Sequence, residues 1–527
     1  MRPGAAIDPV ELEFFRQLFV SIPEEMGVVL RKTAFSANIK ERRDYSCAVY
    51  GPAGETLAMG DHMPVHLGAM PMSVACVRGA MTLHPGDAAI VNDPFQGGTH
   101  LPDITAVSPV YVKGTRGPAF FVAVRAHHSD VGGMSPGSMP LATEIYQEGL
   151  RLPPVKLVRK GKLDRDLMNV ILANVRTPVE REGDLLAQLS SMNRGELRLR
   201  EMTARYGLPK LRQASSALLG YSARMMARLI DSLPDGRYEF EDHLDEASPG
   251  SGPVRVRVAI TIRGPRATVD FTGSAAQVAG PVNANLAVTQ AAVFYVFRCL
   301  LHEDVPASSG LLQPIEIVAP EGTVVNALPP AAMAAGNVEM SQRITDVLLG
   351  ALAQAAPDRI PAASSGTMNN VTFGGWDSIR NRRFAWYETI AGGMGAAQSA
   401  DGMSAVHTHM TNSWNTPAEA FEHEMPVRIR QYKVRRGSGG AGNRQGGDGI
   451  IREFEFLVPA EATILADRRI SQPYGLDGGS PGAAGRTVHI SRSGVETVLP
   501  GKVRLNLDAG DRLRIETPGG GGHGRLS

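Results

Sequence analysis

The hydrophobic spacing of this chain switches between helical steps and steps of two, and this alternation constrains the fold more than any other feature of the sequence. From Asp8 to about Phe35 apolar residues recur every three or four positions, which predicts a helix with Asp8 as N-cap and Pro23 as a candidate break. After Pro234-Asp235-Gly236 the spacing becomes two, which predicts strands of an antiparallel sheet at Val254–Val258 and Ala267–Phe271. The mixture predicts the α+β class.

Further predicted strands are Ser46–Tyr50, Ala88–Asn92, Ala106–Val112 and Ala119–Ala126, and further predicted helices lie within Leu163–Leu233, at Ala287–Leu301 and at Ser341–Ala355. A length of 527 residues exceeds one ordinary hydrophobic core, so we expect a multi-lobed protein. The predicted divisions are a metal-binding catalytic lobe over 1–162, a helical segment over 163–233, an α/β lobe over 234–425 and a glycine-rich β lobe over 426–527.

Composition excludes several classes of protein. The 43% of hydrophobic and 20% of charged residues are typical of a soluble globular chain, and a formal net charge of +1 does not predict a nucleic-acid partner. No apolar run approaches the roughly 20 residues that span a bilayer, and acidic residues occupy the N-terminal region where a signal peptide would be basic and apolar. The three cysteines are far apart and form no paired motif, which favours the reducing cytoplasm.

The densest group of metal-competent side chains lies between Asp44 and Asp130. His100 and Asp103 are three residues apart in a glycine- and proline-containing loop, and the pair His127-His128 follows. Imidazole nitrogen together with carboxylate oxygen suits zinc, manganese or iron(II), so the pattern predicts a divalent transition metal. Each histidine alone is also typical of a turn cap, and it is their combination that favours a metal. Water activated by that metal is then the most economical hydrolytic nucleophile.

Three residues upstream have open roles. Asp44 is a candidate further carboxylate ligand, although its charged surroundings are also typical of a solvated surface turn. His62 and His66 either line the same pocket without coordinating the metal or only pack against it.

The glycine-rich segments do not form a phosphate-binding loop, because no G-x-x-x-x-G-K-[ST] motif occurs in the chain. Gly437–Gly449 has Arg435, Arg436 and Arg444 nearby, so its backbone N–H groups could bind an anion. A set of β-turns is the favoured interpretation of this segment.

A series of motifs occurs in order along nearly the whole chain: Asn38–Cys47, His62–Pro71, Asn92–Asp103, Arg125–Gly133, Pro136–Pro140, Gln147–Gly149, Asn174–Arg176, Gly183-Asp184, Ala335–Asn337 and Glu419–Glu422. This series resembles the hydantoinase B/oxoprolinase family. One departure lies in the glycine-rich segment, where Gly437 replaces an acidic residue that is more usual in the family and Gln445 separates Arg444 from the glycines that follow. A role for the missing acid is therefore not expected here.

The resemblance implies an ATP-dependent cyclic amide hydrolase that acts on a hydantoin, 5-oxoproline or another lactam. A hydantoinase A-type subunit would bind ATP and phosphorylate the carbonyl oxygen, and this subunit would hydrolyse the activated intermediate within a hetero-oligomer. Carried over motif by motif, the implied metal ligands are Asp44, His100, Asp103 and His127, with His128 as the alternative if the strand faces the other way.

Proximity in sequence predicts three further roles at this site. Asp130 or His128 would accept a proton from the bound water, and Arg125 would pair with the phosphate.

Two other functions stay open at this stage. The same site suits a subunit of an ATP-dependent ketone carboxylase, since that reaction needs the same metal and the same activated oxygen. A non-catalytic scaffold for the ATP-binding subunit, with a purely structural metal, would need a site closed by four protein ligands.

Overall fold

The computed structural model describes residues 7–60, 62–301 and 303–526. Its α-helices are α1 (Pro9–Thr33), α2 (Ala37–Lys40), α3 (Pro64–Leu67), α4 (Met70–Ala80), α5 (Arg165–Ala173), α6 (Pro178–Tyr206), α7 (Leu208–Asp231), α8 (Leu286–Cys299), α9 (Ser341–Ala355) and α10 (Ala418–Glu424). A π-helical turn, Gly336–Met340, leads directly into α9. In the part of the chain that the structure describes, no helix is both long and apolar enough to cross a membrane.

A seven-stranded antiparallel sheet dominates the N-terminal part, in the order β2-β1-β5-β4-β3-β6-β7. Its strands are β1 (Tyr45–Tyr50), β2 (Thr56–Met59), β3 (Ala88–Val91), β4 (Asp103–Val110), β5 (Phe120–His127), β6 (Val155–Arg159) and β7 (Lys162–Leu163). Side chains of α1, α6 and α7 share one hydrophobic core with one face of this sheet. The other face packs into a second core, to which α4, α8 and α9 contribute. The sheet is therefore buried on both faces.

Helix α1 shows how local signals and packing combine. The Asp8 carboxylate accepts hydrogen bonds from the N–H groups of Val10 and Glu11, as expected of an N-cap. The helix continues through Pro23 instead of ending there, so the expected break does not form. Its buried stripe includes residues on both sides of the proline, such as Phe19 and Met26, and this packing offsets the missing N–H.

The second sheet has the order β11-β10-β9-β8, from β8 (Gly236–Leu244), β9 (Val254–Arg263), β10 (Arg266–Asp270) and β11 (Ile315–Val318). Only the β10–β11 pair in this sheet is parallel. The expected period-two strands are thus present, and they contribute to the same core as α8 and α9.

The C-terminal strands are β12 (Asn370–Asp377), β13 (Arg382–Glu388), β14 (Val427–Arg435), β15 (Gly449–Phe456), β16 (Ala460–Leu465), β17 (Arg486–Ile490), β18 (Glu496–Leu499), β19 (Lys502–Leu507) and β20 (Arg512–Glu516). They form one sheet in the order β13-β12-β16-β19 and another in the order β14-β15-β20-β17-β18. The two share a third core, which contains a cluster of aromatic rings from β12, β13, β15 and α10. The expected α+β class with mainly antiparallel sheets is confirmed.

The glycine-rich segments pack backbone against backbone. Gly520 N–H donates to the carbonyl of Gly447, and a Cβ added at Gly520 would lie 2.1 Å from the carbonyl oxygen of Met394. The Asp448 carboxylate accepts hydrogen bonds from the N–H groups of Ser438 and Gly439 at 2.8 and 2.9 Å. Asp448 therefore already uses two of the backbone donors that an external anion would need.

Candidate metal centre

Strand register brings the first two members of the centre together. Asp103 begins β4 and lies directly opposite His127, the last residue of β5. His100 comes from the turn that precedes β4, three residues before Asp103. One candidate ligand atom from each of the three lies within 4.8 Å of the other two. All three side chains are buried.

Backbone and carboxylate contacts orient His100. Its Nδ1 donates to the carbonyl oxygen of Ala334 at 3.1 Å, which leaves Nε2 facing Asp103 Oδ1 at 3.3 Å. Burial alone would lower the pKa of His100, but the Asp103 carboxylate outweighs burial and the net shift is upward. A histidine held by a carbonyl at one nitrogen presents the other to a metal in a defined direction.

Asp103 stays ionised at the centre of the group. Its Oδ2 accepts hydrogen bonds from Thr99 Oγ1 at 2.7 Å and from Asn337 Nδ2 at 3.1 Å. Burial opposes ionisation, but His100 and His66 outweigh it and hold the pKa of Asp103 well below its usual range.

His127 is held in place by stacking and by an amide. Its ring stacks on Tyr387 with centroids 4.3 Å apart and planes 12° apart, and its Nδ1 lies 3.2 Å from Asn38 Nδ2. Burial keeps the pKa of His127 well below its usual range, so the ring is neutral at pH 7.

The protonation states and free atoms of this group fit a divalent transition metal. Metal binding requires an ionised carboxylate and neutral imidazole, which are the states of Asp103 and His127. His100, whose pKa is raised beside Asp103, would release its proton when a cation binds. Among the described residues, Asp103 Oδ1, His127 Nε2 and Asn337 Oδ1 are buried without a hydrogen-bond partner. A divalent transition metal would bond to nitrogen and oxygen atoms of this kind, which lack partners and lie within a few ångströms of one another.

Asp44 lies beside this group but is not part of it. Its carboxylate is 4.0 Å from Arg42 Nη1, and the side chain is buried, so the surface-turn interpretation is wrong. Burial raises the pKa of Asp44, Arg42 opposes that rise, and the charges of Asp103 and His100 act on it as well. The charges of Asp103 and His100 therefore reach Asp44, although Asp44 is outside the group of candidate ligand atoms that lie within 4.8 Å of one another.

The two upstream histidines differ in position. His66 Nε2 lies 3.5 Å from Asp103 Oδ2 and its Nδ1 lies 2.8 Å from Ser46 Oγ, so His66 borders the group. His62 instead packs its ring against Tyr45, and its Nδ1 accepts a hydrogen bond from the N–H of Cys47.

His128 points away from the group. Side chains of β5 alternate between the two faces of the sheet, so the residue after His127 faces helix α6. There its Nε2 lies 3.0 Å from Gln188 Oε1, and burial together with Arg181 lowers the pKa of His128 to about 4. The expected fallback ligand and proton acceptor is thus on the wrong face.

The Asp130 carboxylate is already hydrogen-bonded within its own loop. Its two oxygens accept hydrogen bonds from the N–H groups of Gly132, Gly137 and Arg176 and from the Arg176 guanidinium. These bonds organise the loop after β5 and occupy both oxygens. The structure therefore corrects the expectation that Asp130 or His128 takes a proton beside the metal.

Arg125 lies on the same face of β5 as His127, two residues before it in the strand. It donates to Thr105 Oγ1 and Ser73 Oγ, both at 2.8 Å, while Nη1 has no partner among the described residues. Burial lowers the pKa of Arg125, and the Asp103 carboxylate opposes that shift.

The sequence analysis assigned no role to four residues that build or support this centre: Asn38, Asn337 and Tyr387, which contact candidate ligands, and Glu148, which accepts hydrogen bonds from the N–H groups of Met333 and Ala334. Three of them lie in the motifs Asn38–Cys47, Gln147–Gly149 and Ala335–Asn337, so motif membership was the available signal. Tyr387 lies in none of these motifs, and only the stacking on His127 reveals it.

Comparison with known proteins agrees with this architecture. The sequence model of the family described as Hydantoinase B/oxoprolinase matches residues 8–526. An uncharacterized protein of Methanocaldococcus jannaschii is 40% identical over 98% of this chain and 91% of its own length. 5-Oxoprolinase 1 of Arabidopsis thaliana is 38% identical over 98% of this chain, which spans 42% of that longer protein. The crystal structure of ATP-dependent caprolactamase from Pseudomonas jessenii superposes with a TM-score of 0.92 at 29% identity, covering 98% of this chain and 91% of that one.

Proposed function

The chain belongs to the hydantoinase B/oxoprolinase family, and from this premise we propose that it is the metal-containing subunit of an ATP-dependent cyclic amide hydrolase. Its substrates would be hydantoins, 5-oxoproline or other lactams whose carbonyl oxygen has been phosphorylated. The observation that carries the proposal is the buried group His100, Asp103 and His127, whose candidate ligand atoms lie within 4.8 Å of one another.

A separate ATP-binding partner is part of this proposal. The chain contains no phosphate-binding loop motif, yet the similar caprolactamase is described as ATP-dependent. The match to the Arabidopsis 5-oxoprolinase leaves more than half of that protein outside the aligned part. The ATP-binding partner would bind ATP and activate the substrate.

The chemistry divides between the cation and the side chains around it. His100, Asp103 and His127 would hold the cation, with Asp44 as the adjacent fourth ligand. A cation bound there polarises a carbonyl and lowers the pKa of water towards about 7. Arg125, with its unpartnered Nη1, would pair with the phosphate, and His66 would hold a proton beside Asp103 in place of His128 and Asp130.

Elemental analysis of the complex with its ATP-binding partner tests the proposal. Wild type should carry about one transition metal per chain, and His100→Ala and Asp103→Ala should lose both the metal and ATP-dependent lactam opening while the complex still assembles. His128→Ala is the matched control, because it removes a neighbouring imidazole from the opposite face of β5 and should leave the metal in place.

Two results would contradict the proposal. If His100→Ala and Asp103→Ala retain metal and full activity, the centre is misplaced. If they lose the metal and the complex no longer assembles, the metal is structural and the scaffold function is favoured.

A further inference from the structure

A side chain from a distant part of the sequence reaches into the candidate metal centre. Asn337, in the π-helical turn before α9, places Nδ2 3.1 Å from His100 Nε2 and 3.1 Å from Asp103 Oδ2. The side chain is buried, and its Oδ1 has no partner among the described residues. Asn337 therefore contacts two of the proposed ligands at once.

The backbone around Asn337 is held firmly. Ser341 Oγ donates to the Asn337 carbonyl at 2.8 Å. At Gly336 an added Cβ would lie 1.9 Å from the Asn283 carbonyl oxygen, so only glycine allows this close approach. Short π-helical turns inside helices occur frequently at functional sites, where they redirect a side chain. The fold thus holds the Asn337 carboxamide at the centre.

The geometry of these contacts suits coordination. A half-turn of the carboxamide exchanges Nδ2 and Oδ1 at almost the same positions, which would place the oxygen about 3.1 Å from both His100 Nε2 and Asp103 Oδ2. Neighbouring ligands around an octahedral cation with bonds of about 2.1 Å are separated by roughly 3.0 Å. The exchange would remove an N–H from the ligand nitrogen of His100 and break the Asn337 Nδ2 hydrogen bond to Asp103 Oδ2, so a bound cation would be the partner of the exchanged oxygen.

We propose that the Asn337 carboxamide oxygen is a further ligand of the cation in this centre. The inference rests on the proposed function, since it assumes that His100, Asp103 and His127 hold a metal. Together with Asp44 it adds oxygen ligands to a mixed His/Asp set and raises the coordination number above four. Such a set favours five- or six-coordinate manganese(II) or iron(II) over a closed tetrahedral zinc site.

Reconstitution of the metal-free protein with cobalt(II) tests this without relying on activity. Asn337→Ala should bind cobalt(II) roughly 10- to 100-fold more weakly than wild type. It should also show more intense visible absorption, because a lower coordination number strengthens the d–d bands. Asn337→Asp keeps an oxygen ligand and adds a charge, so it should bind at least as tightly as wild type and retain the weak bands.

The two variants separate ligation from hydrogen bonding. If Asn337 only donates a hydrogen bond to Asp103, the carboxylate of Asn337→Asp would repel Asp103 and weaken binding, and this result overturns the proposal. Unchanged affinity and spectrum in Asn337→Ala overturn it as well, and Asn337→Asp still decides the question if Asn337→Ala does not fold. Equal cobalt(II) binding by wild type and His100→Ala would instead contradict the proposed function itself.

Discussion

At the scale of single residues, the centre depends on side chains that contact no candidate ligand atom directly. Glu148 Oε1 accepts hydrogen bonds from the N–H groups of Met333 and Ala334 at 2.7 and 2.8 Å. The carbonyl of Ala334 in turn accepts from His100 Nδ1. Burial raises the pKa of Glu148 to about 8. A largely protonated carboxyl thus positions the segment that orients His100.

The raised pKa of Glu148 predicts a pH dependence of stability. Because the folded state holds this proton more tightly than the unfolded state, the associated stability is complete below the unfolded pKa near 4.5 and is lost as pH rises towards 8. Metal-free wild type should therefore lose about 1.4 kcal/mol per pH unit relative to Glu148→Gln over this window.

Thermal unfolding of the metal-free proteins at several pH values between 5 and 8 measures this difference. The Tm of wild type should fall relative to that of Glu148→Gln as pH rises. Glu321→Gln, at an exposed glutamate, is the control and should follow wild type. Parallel Tm curves for wild type and Glu148→Gln would show that Glu148 is already ionised at low pH.

At the scale of secondary-structure elements, the alternation of strand side chains divides the polar residues of β5 between two environments. Arg125 and His127 share the face that carries Asp103, whereas His128 lies against α6. The glycine-rich segments follow a different rule, because their backbones lie so close together that a side chain would overlap a neighbouring carbonyl. These segments therefore pack backbone against backbone among the C-terminal strands.

Replacing a packed glycine should therefore destabilise the protein strongly. In Gly520→Ala the new Cβ would lie 2.1 Å from the Met394 carbonyl oxygen, so backbone must move, at a cost of about 1–3 kcal/mol or more. Gly117→Ala, in the loop between β4 and β5 with no heavy atom within 4 Å of the added Cβ, should change stability little. Thermal denaturation of both variants measures the contrast, and equal Tm values would contradict the packing argument.

At the scale of the whole molecule, an ionic network joins α9 and β8 to the C-terminal sheet that contains β16 and β19. Arg343 of α9 pairs with Asp242 of β8 at 2.5 Å and with Asp467, after β16, at 3.0 Å. Arg468 pairs with Asp242 as well, and Lys502 of β19 pairs with Asp467 at 2.9 Å. Burial opposes ionisation of Asp242, but Arg343 and Arg468 hold its pKa far below the usual range. Arg343 lies near the start of α9, which begins directly after the turn that carries Asn337.

Replacing Arg343 should lower the free energy of unfolding, because its carboxylate partners would then lie in the interior with fewer positive charges beside them. Arg343→Met leaves Asp242 and Asp467 with fewer partners, and we expect a loss of about 3–5 kcal/mol. Arg504→Met, which breaks the exposed pair with Glu461, should cost no more than about 1 kcal/mol. Urea denaturation of the two variants compares them, and a loss below 1 kcal/mol in Arg343→Met would show that the network contributes little to stability.

Much of this architecture follows from the sequence alone. Residue spacing predicted the helix that begins at Pro9, the helix Ser341–Ala355 and the strands Ala106–Val112 and Ala119–Ala126, because periodicity and capping are local properties. The structure extends these two strands to Asp103 and His127, so Asp103 begins a strand and does not lie in the expected loop. The ordered motifs predicted the family, and the spacing of His100 and Asp103 predicted a metal-competent pair.

Other features depended on contacts between distant parts of the chain. Which of His127 and His128 faces Asp103 is decided by the register of β4 against β5, and a shift of one residue would exchange them. Asn337 meets His100 across more than 230 residues of sequence, and Tyr387 meets His127 across an even longer interval of the chain. Local spacing carries no information about such contacts, because they form only when the lobes pack and bury the polar groups that must then find partners.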